Sequence, residues 1–213
     1  MKKPSILLIS FLCVTTLSWS QRLTSKRTTI NTSIVGSGNA STTDLPFFSS
    51  SADAEKIVCG IMGTLGLQSN FKVKIANVPN VEATIKHHER YILYNPEFVN
   101  KVNEATKNKW ASIFILAHEV GHHLDGHTAA GLRSNPTIEL EADEFAGSVL
   151  CKMGATLEQA QLAMYYIANV ASSKTHPGRP DRLAAIANGW NKAQAEMQPS
   201  VAAEQFQMTS LTN

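Results

Sequence analysis

Hydrophobic positions along this chain recur with two different periods. Between residues 52 and 67, Ile57, Val58, Ile61, Met62 and Leu65 fall on one helical face. The pattern then becomes alternating: Phe71, Val73 and Ile75 are apolar while Lys72 and Lys74 are not, which predicts a strand. Residues 81–85 and 90–94 read as two more strands, set off by a turn at 77–80 and by His87-His88-Glu89. Three short strands in succession predict an antiparallel meander. The helical period then returns. Asn95-Pro96 starts a helix, with Asn95 as its N-cap and Pro96 in the first turn. Another begins near Lys109 and runs through Ile113, Phe114, Leu116 and Ala117 into a histidine-rich stretch. After a loop at 128–135, Pro136 opens a helix reaching Lys152 and stopping near Gly154. Thr156 caps a further helix to about Val170, and Pro180 stands at the start of a last one ending near Ala195. The expected class is α+β: a short antiparallel meander packed on a mainly helical domain. No internal repeat is evident.

The two ends of the chain read differently. Lys2 and Lys3 precede a short apolar run at 6–17 and the small-residue pattern Ser18-Trp19-Ser20, which predicts a secretory signal peptide over 1–20, cut before Gln21. The run is short for a membrane span, so the mature chain is expected to carry no transmembrane segment and to be periplasmic or extracellular. Residues 21–51, rich in Ser, Thr, Asn and Gly, read as a disordered linker, and 198–213 as a flexible tail. The folded domain is expected over 52–197.

Composition sharpens this only in part. Of 213 residues, 43% are hydrophobic but only 7% aromatic, so the core is expected to lean on aliphatic side chains and alanine. The 19 basic residues include the two lysines of the signal segment, which holds no acid; without it 17 basic and 17 acidic residues balance. With no basic cluster, nucleic acid is not an expected partner. Two cysteines follow the signal segment, Cys59 and Cys151; in an exported protein they can pair, and in apolar helical stretches they can equally stay as buried thiols.

The chemistry concentrates in Leu-Ala-His-Glu-Val-Gly-His-His-Leu-Asp-Gly-His-Thr, residues 116–128, which holds four of the seven histidines. His118 and His122 are one helical turn apart on one face, so both imidazoles can reach one ion, as zinc requires. Glu119 is rotated by about 100° from His118. That sets it beside the metal, where a general base for a zinc-activated water belongs. A third ligand is needed. The metzincin spacing would place glycine at Asp125 and histidine at Thr128, so it fails, and the inverted motif is absent. A later glutamate remains. Glu139 and Asp143 share a face of the following helix, so one can bind the metal while the other accepts a hydrogen bond from the far nitrogen of a ligand histidine. Glu141 and Glu144 point elsewhere and read as solvated. His123 points off the metal face, and His87 and His88 belong to a solvated turn. Tyr91, Tyr94, Tyr165 and Tyr166 suit a core or groove wall, and Trp110 and Trp190 suit helix packing.

Glu-x-x-Ala-Asp downstream of His-Glu-x-Gly-His, with a further histidine five residues after the second, resembles the gluzincin metallopeptidases of the HtpX and CAAX-prenyl-endopeptidase type over about residues 110–190. The resemblance implies a zincin-like fold with one zinc held by His118, His122 and Glu139, Glu119 as base, Asp143 behind a ligand and His127 as a non-ligand. Thr175-His176-Pro177 with Arg182 six residues on resembles a further family element. It implies that His176 stabilises the oxyanion and that Arg182 pairs with a buried carboxylate such as Asp143 rather than with substrate. The chain lacks the multiple hydrophobic spans of membrane-bound members and the tetratricopeptide array of some relatives. The expected function is a secreted or periplasmic zinc metalloendopeptidase acting on extended protein or peptide substrates, laid by analogy along the 90–94 strand. The competing readings are a zinc-containing chaperone or assembly factor with little proteolysis, and a structural zinc domain. The last has no use for Glu119 and would want a closed fourth position.

Overall fold

The computed structural model describes residues 50–129 and 134–198. Over these, six helices and one three-stranded sheet follow in the order α1 (Ser51–Thr64), β1 (Phe71–Ile75), β2 (Val81–Lys86), β3 (Glu89–Tyr94), α2 (Pro96–Thr106), α3 (Lys109–Leu124), α4 (Pro136–Lys152), α5 (Leu157–Ile167) and α6 (Arg179–Met197). The class is α+β. The expected signal peptide, most of the linker and the tail beyond residue 198 lie outside the described residues.

Helix starts follow from local chemistry. Asn95 accepts hydrogen bonds from the N–H groups of Glu97 and Phe98, Asn108 from Trp110, and Asn135 from Thr137 and Ile138. Pro96 and Pro136 fill first-turn positions that need no donor. Thr156 and Gln159 form a reciprocal capping box at the start of α5. That helix ends at Ile167, earlier than its apolar pattern suggests. Ala168 turns extended, and the Arg179 guanidinium takes its carbonyl at 3.0 and 2.7 Å.

The sheet departs from a meander. Its order is β1-β3-β2: β3 pairs antiparallel with β2 and parallel with β1. The hairpin between β2 and β3 turns through His87 and His88, both exposed and both at positive φ, 51° and 64°. β3 then inserts between the other two. Its apolar run Tyr91-Ile92-Leu93-Tyr94 is buried at its end, whereas β1 and β2 carry lysines and exposed ends, so the most apolar strand takes the centre. The 90–94 strand is therefore bonded on both sides, and the open edges belong to β1 and β2.

α3 is the central element. Nearly every residue from Trp110 to Gly121 is buried, because α1, α2, α4, α5 and the sheet surround it. The core is aliphatic and alanine-rich, with Ala54, Ala111, Ala117, Ala146, Ala160 and Ala163 fully enclosed. Trp110 packs at the start of α3, and half-buried Trp190 donates its indole N–H to Ala155 O at 2.9 Å. α4 and α6 pack closely through small residues. Gly147 faces the carbonyl of Ile186 and Gly189 that of Glu144, so a Cβ at either would collide with backbone. Cys59 is exposed on α1 and Cys151 buried on α4, and both are free thiols. No helix among the described residues is long and apolar enough to cross a membrane.

Candidate metal centre

α3 delivers His118 and His122 from consecutive turns, and the first turn of α4 delivers Glu139 against them. The two Nε2 atoms are 3.1 Å apart. Glu139 Oε2 lies 3.5 Å from His118 Nε2, and Oε1 lies 3.8 Å from His122 Nε2. Donors at 2.0–2.1 Å from a tetrahedral ion would be separated by about 3.3 Å. The observed triangle brackets that value. His118, His122 and Glu139 thus form a buried to half-buried group able to hold a metal ion.

The electrostatics favour a cation there. Burial works against charging His118, but its contacts with Asp143 and Glu139 prevail and push it up to about 10. His122, enclosed and facing a charged His118, is pushed down to about 3. Burial would raise the Glu139 carboxyl, yet His118, Ser134 and His122 hold it well below the usual carboxylate range. The carboxylates that keep a proton on His118 would equally stabilise a divalent ion in its place.

A buried ion pair stands behind the group. Asp143 Oδ1 lies 2.9 Å from His118 Nδ1, off the line of an ideal N–H···O bond. Arg182 donates from Nε to Asp143 Oδ2 at 2.6 Å and from Nη2 to Oδ1 at 2.7 Å. Asp143 is fully buried and Arg182 nearly so. Close packing of α4 on α6 makes this pairing possible, since Arg182 reaches it from the first turn of α6.

Glu119 faces the sheet, on the side of α3 toward β2. Its Oε2 accepts the main-chain N–H of Ala83 at 2.7 Å, and burial raises its carboxyl to about 7. A carboxyl poised there can both take and return a proton. His176 sits half-buried on the 168–178 loop, with Thr175 Oγ1 at 2.9 Å from Nδ1 and its main-chain N–H donated to Ser173 Oγ. Burial lowers its pKa, and the charges it feels are those of Glu139, Arg182, His118 and Asp143.

Four features escaped the sequence reading. Ser134 donates to Glu139 Oε1 at 2.7 Å and also contacts Thr175 O at 3.3 Å, tying the ligand to the histidine loop. The Ala83 N–H on Glu119 depends on how β2 docks on α3. His127, expected as a non-ligand, packs against one of the two motif histidines: its Nδ1 lies 3.1 Å from His122 Nδ1 and its Nε2 lies 2.9 Å from Glu141 Oε2. Glu141 therefore does not simply face solvent, whereas Glu144 pairs outward with Lys192. His123 does point away from the metal group, where Nε2 meets Tyr91 O at 2.9 Å and the ring stacks on Phe71.

Comparison of the chain with protein-family models, with curated proteins and with solved structures finds no match.

Proposed function

We propose that the protein is a zinc metalloendopeptidase of gluzincin type. The observation that carries the reading is the juxtaposition of a tetrahedrally sized His118, His122, Glu139 triangle with the buried carboxyl of Glu119 one residue from a ligand. Two imidazoles and one carboxylate suit zinc and leave a fourth position for chemistry. The resemblance of residues 118–143 to the HtpX and CAAX-prenyl-endopeptidase motifs supports the same reading, as does the packing of a small sheet on the motif helix.

Bound there, zinc would lower the pKa of water and draw charge from a carbonyl oxygen. The residues of the chain do the rest. Glu119 takes the proton of the attacking water and returns it to the leaving amine, the work of a positioned general base and acid. His176 donates to the oxygen on which negative charge develops. Asp143, held by Arg182, orients His118.

An extended substrate strand pairs with β2 rather than with the 90–94 strand. β2 is an edge strand, and its Ala83 N–H already points at Glu119. Such a substrate takes its affinity from main-chain bonds and so is a peptide or an unfolded protein segment. The lysines and apolar run before Gln21 support action outside the cytoplasm.

The test is to purify the protein, determine zinc per chain, and follow cleavage of an unstructured protein with and without a chelator. Zinc near one per chain and chelator-sensitive cleavage are expected. Zinc without cleavage would turn the reading toward a zinc-containing chaperone, and no zinc would end it.

A further inference from the structure

Each of the two proposed ligand histidines has a second ring nitrogen, and the two are supported in different ways. His118 Nδ1 faces Asp143 directly. His122 Nδ1 faces another imidazole, that of His127, at 3.1 Å, and the far nitrogen of His127 meets Glu141 at 2.9 Å. Asp143 and Glu141 both belong to α4, the helix that also supplies Glu139.

The donors and acceptors of this chain can be assigned by elimination. A His122 that gives its Nε2 lone pair to a metal carries its proton on Nδ1 and donates from there. His127 Nδ1 must then accept, which leaves the His127 proton on Nε2. Glu141 is placed to receive that proton's hydrogen bond, and a carboxylate can only accept. The links are consistent in one direction only, from His122 to His127 to Glu141.

The local chain is built to bring His127 back under the helix end. α3 stops at Leu124, and Gly126 takes φ +76°, a value L side chains rarely adopt. The His127 N–H then bonds His122 O at 2.9 Å. The His127 side chain is 7% exposed while that of Glu141 is 54% exposed. Glu141 stands on the wall of an open recess of about 570 Å³ shared with Asp125, Glu144 and Lys192. The imidazole is thus fixed by packing, whereas the carboxylate can be removed without opening the core.

We infer that His127, oriented by Glu141, is a positioning residue for the metal ligand His122, so that α4 supports both ligand histidines, one directly through Asp143 and the other through an intervening imidazole. This inference rests on the metal-centre reading above.

Zinc affinity of the purified protein, measured by competition with a chromophoric chelator, tests it, together with the absorption spectrum of the cobalt(II) form. His127→Phe keeps a ring but removes both nitrogens, and should weaken zinc binding about 10–100-fold and alter the cobalt spectrum. His127→Asn, whose Oδ1 can accept where Nδ1 did, should recover most of the affinity; a role in packing alone would favour phenylalanine instead. Glu141→Ala should weaken zinc binding several-fold with the metal-free melting temperature unchanged, and it carries the test if His127→Phe fails to fold. Wild-type affinity and an unchanged cobalt spectrum in His127→Phe, or wild-type affinity in Glu141→Ala, would overturn the inference while leaving the metal centre standing. Failure of the unaltered protein to bind zinc would overturn both.

Discussion

Arg182 grips Asp143 with two donors, at 2.6 and 2.7 Å, in the gap between α4 and α6 where water does not reach. Truncating one partner leaves the other charge buried without compensation, which costs about 3–5 kcal/mol. Arg182→Ala should therefore be destabilised by about that amount in urea unfolding of the metal-free protein. The double variant Asp143→Leu/Arg182→Met should be less destabilised than Arg182→Ala, because it leaves no orphaned charge. Additive losses would mean that the pair is not coupled as described.

Gly189 faces the Glu144 carbonyl across the same gap. Gly189→Ala should push α6 off α4, with a loss of about 1–3 kcal/mol or more, and should weaken zinc binding because Arg182 moves with α6. Gly63→Ala is the contrast. Nothing lies within 4 Å of a Cβ there, so the helix-propensity gain of about 0.5–1 kcal/mol should appear. Thermal melts of the two variants, read side by side, check both signs.

The metal group joins α3 to α4, so zinc should stabilise the fold by linkage. With free zinc at 1,000 times Kd the gain is about 4 kcal/mol. Chelation should lower the melting temperature accordingly, and Glu139→Ala should melt at one temperature with or without zinc. A zinc-dependent shift that survives in Glu139→Ala would place the ion elsewhere.

In the proposed zinc site, the metal and a proton compete for Nε2 of His118. Its pKa is raised to about 10 by Asp143 and Glu139, against burial, so the folded metal-free protein holds that proton throughout the neutral range. Metal uptake must release it, and apparent zinc affinity should rise about tenfold per pH unit between pH 7.5 and 9. Calorimetric titration in buffers of different ionisation enthalpy should find about one proton released per zinc. A pH-independent affinity would mean that His118 is neutral before the metal arrives.

Much of this molecule was legible in its sequence because the signals were local. Asn95-Pro96, Asn135-Pro136 and the Thr156/Gln159 pair fix helix starts through bonds made within three residues. His118, His122 and Glu119 are ordered by the helical repeat alone, and Glu139 and Asp143 by the same repeat one helix on. What escaped depended on contacts between elements. Alternation marks residues 90–94 as a strand but is silent about its neighbours, and the most apolar strand went to the centre of the sheet. The Ala83 N–H on Glu119 follows from that strand order. The His127 to Glu141 contact needs both the left-handed turn at Gly126 and the final distance between α3 and α4. Neither is written in the spacing of the motif.

Glu119 carries the central claim, that a proton is moved beside a zinc held by His118, His122 and Glu139. The most direct measurement is peptide-bond cleavage by Glu119→Gln against the unaltered protein at equal zinc content, with the products identified by mass spectrometry. Loss of the base should reduce the rate about 10²–10⁴-fold while zinc stays near one per chain. Cleavage by Glu119→Gln at the wild-type rate, with zinc in place, would contradict the claim.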